Sequence, residues 1–150
     1  MVKTVVVAVD GTPAATRAAE VGVALAASTG ARVHFVHYSP LAEELFKKDP
    51  ENGPSQEAIK EADAVLREAA EVARERGVTA ELMVQDEPKG MIAADLAGLA
   101  EGVDAELVVV GNRGRGEVAD VVLGSVSHEL LRMSSAPVVV VHAGKQKDEA

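Results

Sequence analysis

The chain has 150 residues, 47% of them hydrophobic and 26% charged, with no cysteine and a formal net charge of -9. That length supports one domain whose core stands without disulfides or metals, and the lack of cysteine excludes thiol catalysis, iron–sulfur clusters and cysteine-based zinc sites. The acidic balance and a set of only three aromatics, Phe35, Tyr38 and Phe46, oppose nucleic-acid binding, and no apolar run approaches a membrane span, so a soluble cytoplasmic protein with neither nucleic-acid nor membrane partners is expected.

Val5–Val9 is nearly pure valine and ends at Asp10-Gly11-Thr12-Pro13. A short β-branched run bounded by turn residues predicts a strand buried on both faces, as in a parallel sheet. Pro13 fits the first turn of a helix with Thr12 as its N-cap. Ala14, Ala18, Val21, Leu25 and Ala26 supply its inward face, and Gly30 its stop. Strand character returns over Arg32–Tyr38, completing a right-handed β-α-β unit. His34 and His37 lie at odd spacing on this strand and face opposite sides, which favours structural roles over a shared metal.

From Ser39 to Pro54 the prolines and Gly53 predict a surface loop, with a short helical piece over Leu41–Lys47. A second helix follows with Ile59, Ala62, Leu66, Ala69 and Ala73 facing inward, ending at Gly77. Residues 43–75 carry ten acids and five bases, the composition of a solvated outer face. Val78–Val84 alternates as a third strand, and Pro88 opens a third helix through about Glu101, with Ile92, Leu96 and Leu99 inward. Glu106–Val110 is a buried fourth strand, Gly111–Gly124 a glycine-rich stretch, and Ser125–Met133 a fourth helix. Val138–Val141 after Pro137 is the fifth strand, and Lys145–Ala150 a frayed tail behind a single domain of residues 1–144.

Strands alternating with helices specify an open, doubly wound α/β sheet, which binds ligands beyond the carboxyl ends of its strands at the point where strand order reverses. Asp10–Pro13, Tyr38–Pro40 and Gly111–Gly124 are the loops to inspect. Glycines after the fourth strand let backbone N–H groups approach a ligand. The helix start at Gly124-Ser125 adds donors and a favourable dipole for phosphate oxygens, with Ser125 and Ser127 hydroxyls beside it. Familiar phosphate signatures fit poorly. Gly111 and Gly116 have P-loop spacing, but Glu117 stands where lysine is needed. The looser Gly114-x-Gly116-x-x-Ala119 pattern follows the wrong strand and lacks its later acid. No Gly-x-Ser-x-Gly elbow supports a serine hydrolase.

The whole spacing Gly111-x2-Gly114-x9-Gly124-Ser125 resembles the signature of nucleotide-binding universal stress proteins. The likeness extends to the opening valine run with Asp10-Gly11-Thr12, His37 closing the second strand, and Ala136-Pro137 before the last. It implies a five-stranded parallel sheet in the order 3-2-1-4-5 with helices on both faces. It also implies ATP, with adenine between Ala8 and the backbone near Tyr38, and Val110 beside the base or ribose. Asp10 would reach the ribose or a phosphate-bound Mg2+, while Gly111, Arg113 and Gly114 wrap the phosphates and Gly124, Ser125, Val126 and Ser127 close the cradle. Asn112 replaces a commoner serine and Ala8 a proline, both at positions able to act through backbone.

The expected function is a nucleotide-dependent sensor or binding module in a stress response, without assigned catalytic residues. A slow ATPase on the same fold is one alternative, and a dimeric interaction protein with no nucleotide requirement another. Val138–Val141 is a hydrophobic edge strand that invites pairing with a second copy. Resemblance to the family points to the same homodimer.

Overall fold

Residues 3–113 and 123–143 are described by the computed structural model; Gly114 and the expected tail Lys145–Ala150 lie outside them. Strand β1 (Thr4–Ala8) leads through Thr12 into helix α1 (Pro13–Thr29), and Gly30 stops the helix with φ 75°. There follow β2 (Arg32–Tyr38), α2 (Ala42–Lys48), α3 (Gln56–Ala62), α4 (Ala64–Glu75), β3 (Ala80–Gln85), α5 (Ile92–Gly102), β4 (Leu107–Gly111), α6 (Ser125–Met133) and β5 (Val138–Val141). All the strand pairs are parallel, and the sheet order is β3-β2-β1-β4-β5. This is the expected doubly wound sheet.

Alternation along the strands divides the core between the two sheet faces. Val5, Val7, Val33, Phe35 and Val109 pack with α1 and α4. Val6, Val36, Val108 and Val110 pack with Leu96 of α5 and Leu130 of α6. The face of α1 turned to the sheet is small: Ala18, Gly22 and Ala26 are buried, whereas Leu25, expected inside, is 37% exposed. A Cβ on Gly22 would fall 2.5 Å from Val7 Cγ2, so the helix lies too close to β1 for larger inward side chains. His34 and His37 take opposite faces, as their odd spacing requires. Burial lowers the pKa of His34, whose Nδ1 has no hydrogen-bond partner among the described residues.

Three boundaries differ from expectation by more than one residue, each for a local reason. The third strand begins at Ala80, because Val78 N–H still bonds to Ala73 C=O at 2.9 Å and closes α4. The helix expected from Pro88 starts at Ile92, because Lys89 and Gly90 have φ of 33° and 77°, values a right-handed helix does not allow. The single helix expected over Ile59–Ala73 is two helices. Asp63 breaks it with φ -113° and ψ 105°, and Ala62 is exposed where it was expected to face inward.

Asp63 takes the inward position instead and is only 1% exposed. Its Oδ1 accepts from Leu66 N–H at 2.9 Å, capping α4, and the carboxylate reaches His37 Nδ1 at 2.8 Å through Oδ2. A carboxylate only accepts, so the imidazole proton sits on Nδ1. One residue of the segment expected to be a solvated acidic face is therefore a buried tie between β2 and α4. Asp63→Ala removes the cap and strands His37, and it should destabilise the fold by about 3 kcal/mol. Asp63→Asn retains an acceptor for Leu66 and should lose less in urea denaturation; equal losses would argue against the cap.

Candidate functional site

At the carboxyl end of the sheet, the β1–β2 ladder finishes with Val9 N–H bonded to Val36 C=O at 2.9 Å. No described backbone bond joins residues 10–12 to β2 beyond that point. β1 sits between β2 and β4, so its end is where the sheet order reverses. Ala8, Tyr38 and Val110 end these strands on one face, packed with the α5–α6 side of the core. Ala8 is the smallest of the three and is level with Val36 of β2. Val126, in the first turn of α6, packs against the same group. Tyr38 also makes a polar contact: its hydroxyl donates to Asp95 Oδ2 at 2.7 Å, in the first turn of α5.

Helices α2, α5 and α6 start without a side-chain cap. Thr12, Ser55 and Asp63 cap α1, α3 and α4 through side-chain oxygens, whereas Gly124 offers α6 no such bond. Gly124 is buried with φ -71° and ψ 168°, extended backbone that any residue adopts, so backbone strain does not call for glycine there. Its N–H bonds to Asn112 C=O, and Asn112 N–H bonds to Val141 C=O at 2.8 Å. Asn112 thus acts through its backbone, linking α6 to β4 and β5. Ser127 Oγ donates to Gly124 C=O at 3.1 Å and more weakly to Asn112 C=O at 3.4 Å. Ser127 is buried in that tie, while Ser125 is exposed at the first turn.

Gly111 has a packing reason for being glycine. A Cβ there would lie 2.9 Å from Ala14 Cβ and 3.0 Å from Ala15 N, against the first turn of α1. Arg113 follows two residues later, half-buried. Asp10 Oδ1 accepts from Thr12 N–H at 3.0 Å and Thr12 Oγ1 at 2.6 Å, and Thr12 Oγ1 accepts from Ala15 N–H at 3.2 Å. Asp10 is therefore the outer member of a relay that caps α1. Ala8, Asp10, Tyr38, Val110, Gly111, Arg113, Gly124, Ser125, Val126 and Ser127 come from the strand ends and helix starts at one end of the sheet; Gly114 lies outside the described residues.

Asp95 was not foreseen; its only sequence signal is an acid in the first turn of a helix whose other face is apolar. No three His, Cys, Asp or Glu converge on a possible metal position among the described residues. A cavity of about 600 Å³ lies elsewhere, lined by Lys3, Arg32, His34 and Thr79 at the amino end of the strands. Gly30 and Val103, also in its lining, cap the carboxyl ends of α1 and α5, whose dipoles those cations complement. That cavity is thus a poor anion site.

The sequence pattern of the universal stress protein family matches residues 1–142. The chain belongs to the universal stress protein family. A universal stress protein of Thermus aquaticus is 35% identical over 144 residues, which cover 94% of this chain and 99% of that protein. A universal stress protein solved in complex with cAMP is 29% identical, with a TM-score of 0.68 over 95% of this chain and 98% of that one. Another, from Archaeoglobus fulgidus in complex with dAMP, is 25% identical, with a TM-score of 0.66 over 94% and 98%. No helix among the described residues is long and apolar enough to cross a membrane.

The relay through Thr12 makes a stability test of Asp10 possible without any ligand. Asp10→Ala should cost about 1 kcal/mol, the size of a lost cap, or roughly 3 °C in a thermal melt. An unchanged melt would show that the relay carries no stability.

Proposed function

We propose that this universal stress protein binds ATP with Mg2+ and acts as a nucleotide-dependent sensor or binding module. The observation that carries this reading is the start of α6, which lacks a side-chain cap, as α2 and α5 do, and follows β4 with Val126 packed in the group of Ala8, Tyr38 and Val110. Helix amides and dipole favour phosphate there, and that apolar group favours a flat base. The cAMP and dAMP complexes of related proteins support an adenine nucleotide. Arg113, which follows β4, adds positive charge for a longer phosphate chain.

Asp10 is the residue of this chain that would hold Mg2+, sharing it with phosphate oxygens and water, as that ion commonly binds. The metal would supply charge neutralisation. A binding role fits better than catalysis, since Asp10 Oδ1 and Ser127 Oγ already serve local structure. The protein would work in the cytoplasm, reporting nucleotide state through its shape to partners the sequence does not name.

We further propose that it does so as a homodimer through β5. The two edges of the sheet differ. On β3, Gln56 occupies the free edge like a neighbouring strand: Leu82 N–H donates to its Oε1 at 2.8 Å, and its Nε2 donates to Leu82 C=O at 3.1 Å. On β5, Val138, Val139 and Val140 are half-exposed, and no described residue pairs with the outer edge. An open valine edge favours a matching edge on a second copy.

Gly124→Val keeps an allowed backbone and should abolish ATP binding while leaving the fold largely intact, which a thermal melt checks because Gly124 is buried. Calorimetry giving wild-type affinity for this variant would remove the cradle. Val139→Lys should convert a dimer to monomer in sedimentation; Val141, which is buried, is the poorer choice because its replacement would also disturb the core. A wild-type monomer at high micromolar concentration would overturn the dimer.

A further inference from the structure

Asp95 and Tyr38 come from α5 and β2, and their 2.7 Å bond joins the two elements beside Ala8. Both residues are half-buried. Burial and the bond to Asp95 raise the Tyr38 pKa well above its ordinary value, so the hydroxyl keeps its proton and remains the donor. That bond occupies Oδ2 of Asp95, while Oδ1 makes no hydrogen bond among the described residues. The tyrosine therefore fixes the Asp95 carboxylate close to the group of Ala8, Tyr38 and Val110 and leaves Oδ1 able to accept. A carboxylate is an acceptor with no donor to offer.

We infer that Asp95 selects the base of the bound nucleotide, accepting from the exocyclic amine of a 6-aminopurine and repelling the carbonyl oxygen of a 6-oxopurine. The inference rests on the nucleotide reading above and adds to it a determinant of base identity. Tyr38 is the positioning residue: its hydroxyl fixes the carboxylate, and its ring forms part of that apolar group. A hydrogen bond to a charged group, set against an unpaired acceptor facing another acceptor, gives a clear contrast between the two purines.

The test compares ATP with inosine triphosphate, which differs in carrying oxygen in place of the 6-amine. Wild type should prefer ATP by about ten- to hundredfold in calorimetry. Asp95→Asn keeps an acceptor for the Tyr38 hydroxyl but can present an amide donor to the base. It should erase or reverse the preference without lowering the melting temperature. Tyr38→Phe keeps the ring, frees the carboxylate, and should narrow the ratio to a lesser degree. If Asp95→Asn weakens both nucleotides equally, Asp95 only ties α5 to β2 and the inference fails. An unchanged ratio in a variant that still binds also defeats it while leaving nucleotide binding intact. If wild type binds neither triphosphate, the base selection and the nucleotide reading fall together.

Discussion

Helix α1 touches the sheet at two places where a glycine lets the two layers close up. Gly22 rests over Val7, and Gly111 lies under Ala14 and Ala15. These contacts hold the helix start directly against the exit of β4, so one side of that exit is filled by backbone. Gly124 then meets Asn112 C=O, and α6 follows on the opposite face, packed with α5.

Several polar groups near this end hold the frame. Ser127 and Asn112 belong to the frame, since their bonds run between β4, β5 and α6. Asp10 belongs to it in part, through Thr12. The His37–Asp63 pair does similar work on the other face, fixing α4 to β2 from within the core. A cleft whose walls are tied this way keeps its shape without a ligand, which reduces the ordering cost when one enters.

Much of this was legible in the sequence because hydrophobic period and turn chemistry are local signals. Valine runs marked the strands and Thr12-Pro13 the start of α1. Errors arose where a distant partner decided. Asp63 looks like one acid among many until β2 brings His37 to it. Leu25 has the right spacing for a buried position, but the close seating of α1 admits only smaller groups. Gly111, expected from the resemblance to wrap phosphates, also has a packing reason that only the neighbouring helix start reveals. The bond between Tyr38 and Asp95 spans 57 positions, beyond any local pattern.

Gln56 has a consequence for how copies of this chain add together. A β-sheet with two unpaired edges is like a monomer with two reactive ends, able to extend without limit. Two bonds from one glutamine side chain to Leu82 occupy such an end. The remaining end, at β5, makes the molecule monofunctional. Joining two of them consumes both open edges, so growth stops after one step, and a stack of sheets cannot propagate while α3 stays in place. In the proposed homodimer, the Gln56 side chain would thereby act as the chain terminator.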